Sequence, residues 1–531
     1  MTTKVIDNFT GRLTRTFEGD LNSGLAKFNN SFGYDPFSKP GNLTWLYKPT
    51  DIAGAVITDA VLAGKVWSYS TSTRYVYAIG NAGRVYLIDP TNTGGSNDPL
   101  YDTPLLIGTL STGSPTFTYG GSLEFFNGKI FISSDDQVTR IDITNTTSSL
   151  AGETEIAGAS LTSALPHPMV QFQGKLYVGN GNNIAEIAVT NLFTTAAKLS
   201  PALPNGMYVR DLDVTPDGVY MIITASYIYP PTLSAASYTQ PYASEAYQFY
   251  WNGTDAGITQ IVTNPNWTVT ATNSFLDKRY SFLNDAFGTA LLEGNQKLLT
   301  LPQNQSPMPF GVASNGQFLT WAAPEITGTI TNASTAGITW TSLYYYGQLD
   351  AGQPLGLWRM MREAATGGAV WKNPLNMMVN NFGFSINNAI AWGKHYISVF
   401  ELSAATYHLY RLVLPPAANT APMLGVYETQ NQVFSKRVAI KQIRFYTEPT
   451  IAGNGFRADL INSNGDIHTN GTFNYTFATG SDPYALSGAL ERIDWNPNMD
   501  TVFCAGLRIT NSGTINMTFM KIEIDFDESG K

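Results

Sequence analysis

Four acidic residues, Asp211, Asp213, Asp350 and Glu401, are the candidates for chemistry in this chain of 531 residues. Two carboxylates flanking a sugar can hydrolyse a glycoside, one protonating the leaving oxygen while the other attacks or activates water. These four lie on distant segments and meet only if the fold brings those segments together. Asp211 with Asp213, and Asp135 with Asp136, also offer the oxygen ligands that Ca²⁺ prefers, but neither pair sits in a ligand-rich loop. Capping turns and lining solvated strand faces is the plainer role for all of them.

Other catalytic patterns are missing from the sequence. There is no nucleophile elbow, no Gly-Lys-Ser/Thr phosphate loop and no paired-histidine zinc motif. The four histidines, His167, His395, His408 and His468, have no metal-ligand spacing with one another or with the single cysteine. That cysteine, Cys504, lies in the apolar run Val502–Ala505 and reads as a small buried hydrophobe. Gly179 and Gly181 resemble the start of a dinucleotide fingerprint, yet the third glycine and the helix are absent, so they read as a turn. The expectation is a protein that is not an enzyme, with no catalytic, cofactor-binding or metal residue.

The elements that would position these residues are β-strands. A glycine-closed hairpin recurs along the chain: Tyr75–Ile79 with Val85–Ile88, Leu123–Phe126 with Ile130–Ile132, Met169–Phe172 with Leu176–Val178, and Val209–Val214 with Val219–Ile223. The closing glycines, Gly83, Gly128, Gly174 and Gly218, fall about 45 residues apart, the period of one four-stranded blade of a β-propeller. Asn-Gly and Asp-Gly favour two-residue hairpin turns because glycine takes positive φ without steric cost. A lone four-stranded sheet cannot bury both faces, so each must stack on the next, and radial closure leaves only short edges. Further units are expected at Tyr280–Leu301, Phe310–Met360 and Ala389–Tyr410, giving about seven blades.

Beyond a proline-rich linker, Pro415 to Pro422, about 105 residues of alternating strands predict a jelly-roll-like β-sandwich. Its last strand alternates, with Met520, Ile522, Ile524 and Phe526 on one face and Lys521, Glu523 and Asp525 on the other, so one face is expected to be buried. The predicted fold class is therefore all-β: an extended N-terminal arm over residues 1–48, a β-propeller over 49–424 and a β-sandwich over 425–531. The arm is expected to lie on its own propeller, on a neighbouring subunit, or on both.

Composition narrows the partners. Charged residues make up only 13% of the chain, about half the usual share, and the net charge is −9 with no basic run. Phosphate-driven nucleic-acid binding has little electrostatic support, and a weakly charged surface suits coverage by protein partners. The opening residues lack a secretion signal and no run of 18 apolar residues occurs, so synthesis in the cytoplasm without a membrane-spanning segment is expected. The insertion from Ser226 to Ser244 combines tyrosine, serine and proline, and Tyr227, Tyr229, Tyr238 and Tyr242 are expected partner contacts, since tyrosine offers a large amphipathic area at low entropic cost.

The opening segment Ile6–Thr14, with its Asn-Phe-Thr-Gly core, resembles the start of structural proteins of tailed bacteriophage virions, some of which carry propellers in the tail nozzle or hub. The cysteine-poor, Asn/Gly/Thr/Tyr-rich texture of the whole chain is similar to theirs. The resemblance implies a virion structural protein, made in the host cytoplasm and acting by assembly with copies of itself in a ring and with other virion proteins. It also implies that Ile6, Phe9 and Leu13 of the arm contact partners and that the terminal sandwich faces a neighbour or a host surface glycan. A glycan-binding or glycan-degrading propeller is the alternative from another class. A cellular interaction scaffold is a third, although its Trp-Asp and Gly-His signatures are missing.

Overall fold

A computed structural model describes residues 2–7, 9, 28–35, 42–45, 50–51, 57–59, 61–68, 74–88, 105–117, 121–143, 150–156, 161–163, 165, 167–215, 217–227, 246–254, 258–264, 268–275, 278–285, 288–293, 296–300, 320–326, 339–347, 356–365, 368–371, 375–379, 385–392, 396–403, 406–413, 425–429, 432–448, 455–462, 464–477, 491–497, 499–511 and 517–527. Between residues 259 and 424 it describes strand paths without side chains. The described elements are all β-strands, forty in number.

Most of them form antiparallel meanders. The first sheet runs Val61–Ser68, Arg74–Gly80, Arg84–Ile88, Leu105–Thr109, and the second Ser122–Phe126, Lys129–Ser133, Val138–Asp142, Thr154–Glu155. The third runs Met169–Phe172, Lys175–Asn180, Asn183–Ile187, Phe193–Thr195, and the fourth Met207–Val214, Met221–Tyr227, Ala246–Trp251, Ile258–Asn264. The fifth comprises Thr268–Phe275, Lys278–Asp285, Gly288–Glu293 and Gln296–Thr300. Thr320–Ile326, Thr339–Gly347 and Gly356–Ala365 form a sixth meander, and Ser385–Trp392, Tyr396–Ser403 and Thr406–Val413 a last one. The last gains its fourth strand, Thr50–Asp51, from ahead of the first sheet, through Tyr410 opposite Asp51.

The entry strand of each meander packs beside the next, and Ser385–Trp392 of the last packs beside Val61–Ser68 of the first. This closed cycle is the strand layout of a β-propeller. Three of the four glycine turns join first to second strands: Gly128, Gly174 and Gly218. Gly83 instead joins the second and third strands of its sheet, so the repeat read from sequence is one strand out of phase there. An Asn/Gly turn identifies a hairpin without saying which hairpin of a meander it is. The fifth sheet likewise begins at Thr268, ahead of the expected Tyr280, and Gly294, expected in its turn, lies outside the described residues.

Alternation along doubly buried strands builds the seams. Ile130 and Ile132 pack with Tyr77, Ile79, Val85 and Leu87 of the first sheet, whereas Phe131 between them packs with Met169, Leu176 and Val178 of the third. Tyr177 points the other way from Leu176 and Val178, toward Met221, Ile223 and Trp251 of the fourth sheet. Continuous apolar runs such as Ile130–Ile132 thus serve two seams at once.

The N-terminal residues are built into the C-terminal layers. Thr2–Ile6 pairs with Thr518–Asp527, placing Ile6 opposite Ile522. Leu43–Trp45 extends the same edge of that strand, and Tyr34–Asp35 pairs with Leu43–Trp45. Phe28–Phe32 pairs with Val426–Thr429 in the facing sheet. The long strand Met499–Asn511 joins the two layers. It pairs with Gln432–Thr447 through residues 499–505, and through residues 506–511 it runs between Val426–Thr429 on one edge and Gly455–Ile461 on the other. Between the layers lies one core holding Ile6, Phe9, Tyr34, Leu43 and Trp45 together with Ile443, Phe445, Phe456, Ile509 and Ile522. The segment expected to lie as an arm on a propeller or a neighbour is thus partly a set of strands of the chain's own sandwich. Phe32 also pairs in parallel with Asn376 of Leu375–Val379, which hydrogen-bonds to the sixth meander, so the sandwich sheet and that meander are continuous.

Candidate functional site

Of the four acids named for sugar chemistry, Asp211 and Asp213 have described side chains. Asp211 and Asp213 share one strand face, and each accepts a hydrogen bond from the following backbone N–H, Leu212 at 2.9 Å and Val214 at 2.8 Å. Glu401 lies on the strand Tyr396–Ser403, with its side chain outside the described residues, and Asp350 lies outside them altogether. Asp135 is buried and accepts from Thr116 Oγ1 at 3.1 Å, while Asp136 accepts from Ser134 Oγ at 3.2 Å, so both organise a turn. Among the described residues no group of three or more His, Cys, Asp or Glu could hold a metal ion. Gly179–Gly181 lies at the hairpin end between Lys175–Asn180 and Asn183–Ile187. Cys504 stands opposite Val433 on its strand, with its side chain outside the described set.

What the fold does concentrate is polar side chains that cross from sheet to sheet. Glu124, buried on the entry strand of the second sheet, ion-pairs with Lys65 of the first and accepts from Gln171 Nε2 of the third at 3.2 Å. A carboxylate removed from water is tolerable only with such partners. The sequence shows Glu124 as one polar residue inside the apolar run Leu123–Phe126, and the strand buries it beside Leu123.

His167 ties the second sheet to the third. Its Nδ1 lies 2.6 Å from the carbonyl of Gly179 and its Nε2 lies 3.2 Å from that of Asp135. A neutral imidazole has one N–H, so it satisfies one of these carbonyls at a time. Burial pushes the imidazole below its usual range, against the pull of the two carbonyls. The His167 backbone carbonyl in turn accepts from Ser133 Oγ at 2.6 Å. In the first sheet Asp59 plays a similar part: its buried carboxylate accepts from Ala82 N at 2.8 Å and from the Tyr86 hydroxyl.

A second clamp repeats from one seam to the next. Asn127, at the first hairpin turn of the second sheet, donates to the carbonyl of Val189 in the third, and Gln173, at the matching turn of the third, donates to the carbonyl of Asn252 in the fourth at 3.1 Å. Both have positive φ, 44° and 48°, followed by Gly128 and Gly174 at 70° and 73°. These are the angles of a type I′ turn, and they aim the amide toward the neighbouring sheet. Sequence reading found the turns and missed the amides, because nothing in a single repeat says that the turn residue reaches its neighbour.

The chain's N-terminus forms the remaining built surface. Ile6 and Phe9, expected as partner contacts, are 1% and 0% exposed and fill the sandwich core, so their burial is supplied within the chain. Leu13, Tyr229, Tyr238 and Tyr242 lie outside the described residues; Tyr227 ends the strand Met221–Tyr227, with its side chain outside them. On the opposite face, Thr3 Oγ1 donates to Asp525 at 2.6 Å, and Arg444 bridges Glu523 at 2.8 Å and Asp525 at 2.7 Å. Lys521, Arg444 and the Tyr446 hydroxyl hold the Glu523 carboxyl down to about 2.

No protein-family model matches the chain, and no curated protein matches it. Among solved structures it is similar to BBS1N in complex with ARL6DN, at 10% identity and a TM-score of 0.39, covering 70% of this chain and 96% of that one. It is also similar to YCF48 from Cyanidioschyzon merolae, at 10% identity and a TM-score of 0.36, covering 69% and 98%. A chain of the mitotic checkpoint complex aligns at 9% identity and a TM-score of 0.38, covering 75% and 95%. Among the described residues no helix is long and apolar enough to cross a membrane.

Proposed function

We propose that this chain is a structural component of a tailed-phage virion, a tail nozzle or hub part that works by assembly and not by catalysis. In this reading the meanders form a seven-bladed propeller, with Thr50–Asp51 completing the last blade, and the sandwich is of jelly-roll type. Its partners are copies of itself in a ring and other virion proteins. The resemblance of Ile6–Thr14 to virion proteins suggests the setting. The observation that carries the mechanical role is the use made of buried polar groups. Glu124, His167 and Asp59 are engaged in joining sheets and linkers, where an active site would aim such groups at a shared cavity.

Sedimentation of the purified chain, together with antibody labelling of particles from an infected culture, tests the reading. A fixed-copy oligomer and labelled tails are expected. A monomer absent from particles, or one that cleaves a polysaccharide, would overturn it.

A further inference from the structure

The sandwich edge carrying Thr2–Ile6 has the properties of an acceptor site. Thr2–Ile6 is a five-residue strand whose ladder partner among the described residues is Thr518–Asp527. That partner does not depend on it, because Gln432–Thr447 holds its other edge and Leu43–Trp45 holds the rest of the same edge. Two apolar anchors fix the segment: Ile6, and Phe9 set edge-to-face on Tyr427 with ring centroids 5.7 Å apart. Without them the groove would expose Tyr427 and Ile522, which are fully buried. An apolar slot beside an open strand edge is the geometry that takes up an added strand.

The segment is joined to its next strand, Phe28–Phe32, by residues 10–27. Such a stretch spans about 60 Å when extended, far more than the roughly 10 Å between packed sheets. An identical segment from another molecule would make the same ladder, the same Thr3–Asp525 bond and the same two anchors. The choice between the two is then set by effective concentration rather than by contacts. In a dilute monomer the chain's own segment wins; in a ring, where a neighbour's groove is held nearby, exchange becomes competitive.

We infer that the Ile522–Phe526 edge is a strand-acceptor site that receives the Thr2–Phe9 segment of a second copy of this chain in the assembled state. The inference rests on the assembly role proposed above. Thr3 and Asp525 face each other in the ladder, so a cysteine at each position suits a disulfide. Thr3→Cys and Asp525→Cys would be made on separate, differently tagged chains, mixed, assembled and oxidised, with each variant alone as the control for Cys504. The double variant on one chain shows that the pair can close. A dimer carrying both tags, formed in the oligomer and scarce in the dilute monomer, is expected. An oligomer with no cross-linked dimer, while the double variant closes within itself, would overturn the exchange and leave assembly standing. No oligomer at any concentration would sink both.

Discussion

Phe9 sits edge-to-face on Tyr427, ring centroids 5.7 Å apart and planes at 76°, so the start of the chain packs on the strand that begins the C-terminal layers. Tyr34 continues the stack, 5.9 Å from Trp45 and 6.3 Å from Tyr427. Residues from both ends of the chain therefore share one core, with the propeller inserted between them.

Removing an anchor should unfold the sandwich first. Phe9→Ala or Trp45→Ala deletes a fully buried ring and is expected to cost roughly 3–5 kcal/mol. Chemical denaturation followed by tryptophan fluorescence should show an earlier transition belonging to the sandwich, with the propeller transition little changed. A single transition displaced as a whole would mean that the two units unfold together.

Asp59 anchors the linker that enters the first sheet. Asp59→Ala leaves the Ala82 N–H and the Tyr86 hydroxyl without their acceptor, at a cost of roughly 1–3 kcal/mol. Gly80→Ala should have a similar effect by another route, because a β-carbon there would land on the Asp59 carboxylate. Combining the two substitutions should cost little more than either alone, a non-additivity that a double-mutant cycle measures.

The turn clamp can be separated from its backbone strain. Gln173→Ala loses the bond to Asn252 and keeps a β-carbon at φ 48°, so it should destabilise by about 0.5–1.5 kcal/mol. Gln173→Gly loses the same bond but relieves a left-handed conformation worth about 1 kcal/mol, and should be close to neutral. Thermal melts of the two variants give the comparison. Equal losses would show that the strain is absent.

Two acid-sensitive groups act in different pH windows. Burial lowers the His167 imidazole from the ordinary 6.5, so the folded state binds its proton less readily than the unfolded chain. Its contribution is complete above that value and declines as pH falls below it. Glu523, held at about 2 against an ordinary 4.5, keeps its contribution down to about 4.5 and loses it as pH falls toward 2. His167→Gln should flatten the stability profile where pH falls below 6.5, and Glu523→Gln the profile below 4.5. Urea midpoints measured across pH would show each effect.

The local hairpins were legible in the sequence because Asn127-Gly128 and Gln173-Gly174 impose their turns whatever surrounds them. The alternation of Lys521 to Phe526 was legible in part: Ile522 and Phe526 are buried as it predicted, while Ile524 is half-buried and Asp525, on the other face, is buried against Arg444 and Thr3. What joins distant segments was not. The pairing of Thr2–Ile6 with Thr518–Asp527 joins strands from opposite reaches of the sequence, so no local pattern marks it. The arm's apolar residues read equally well as contacts for another subunit. His167 gave no signal either, since a histidine in a linker carries no mark of the two carbonyls it will meet.

Thr2 lies opposite Phe526, so probes attached at these two residues, from opposite reaches of the sequence, would sit side by side and report on one strand edge.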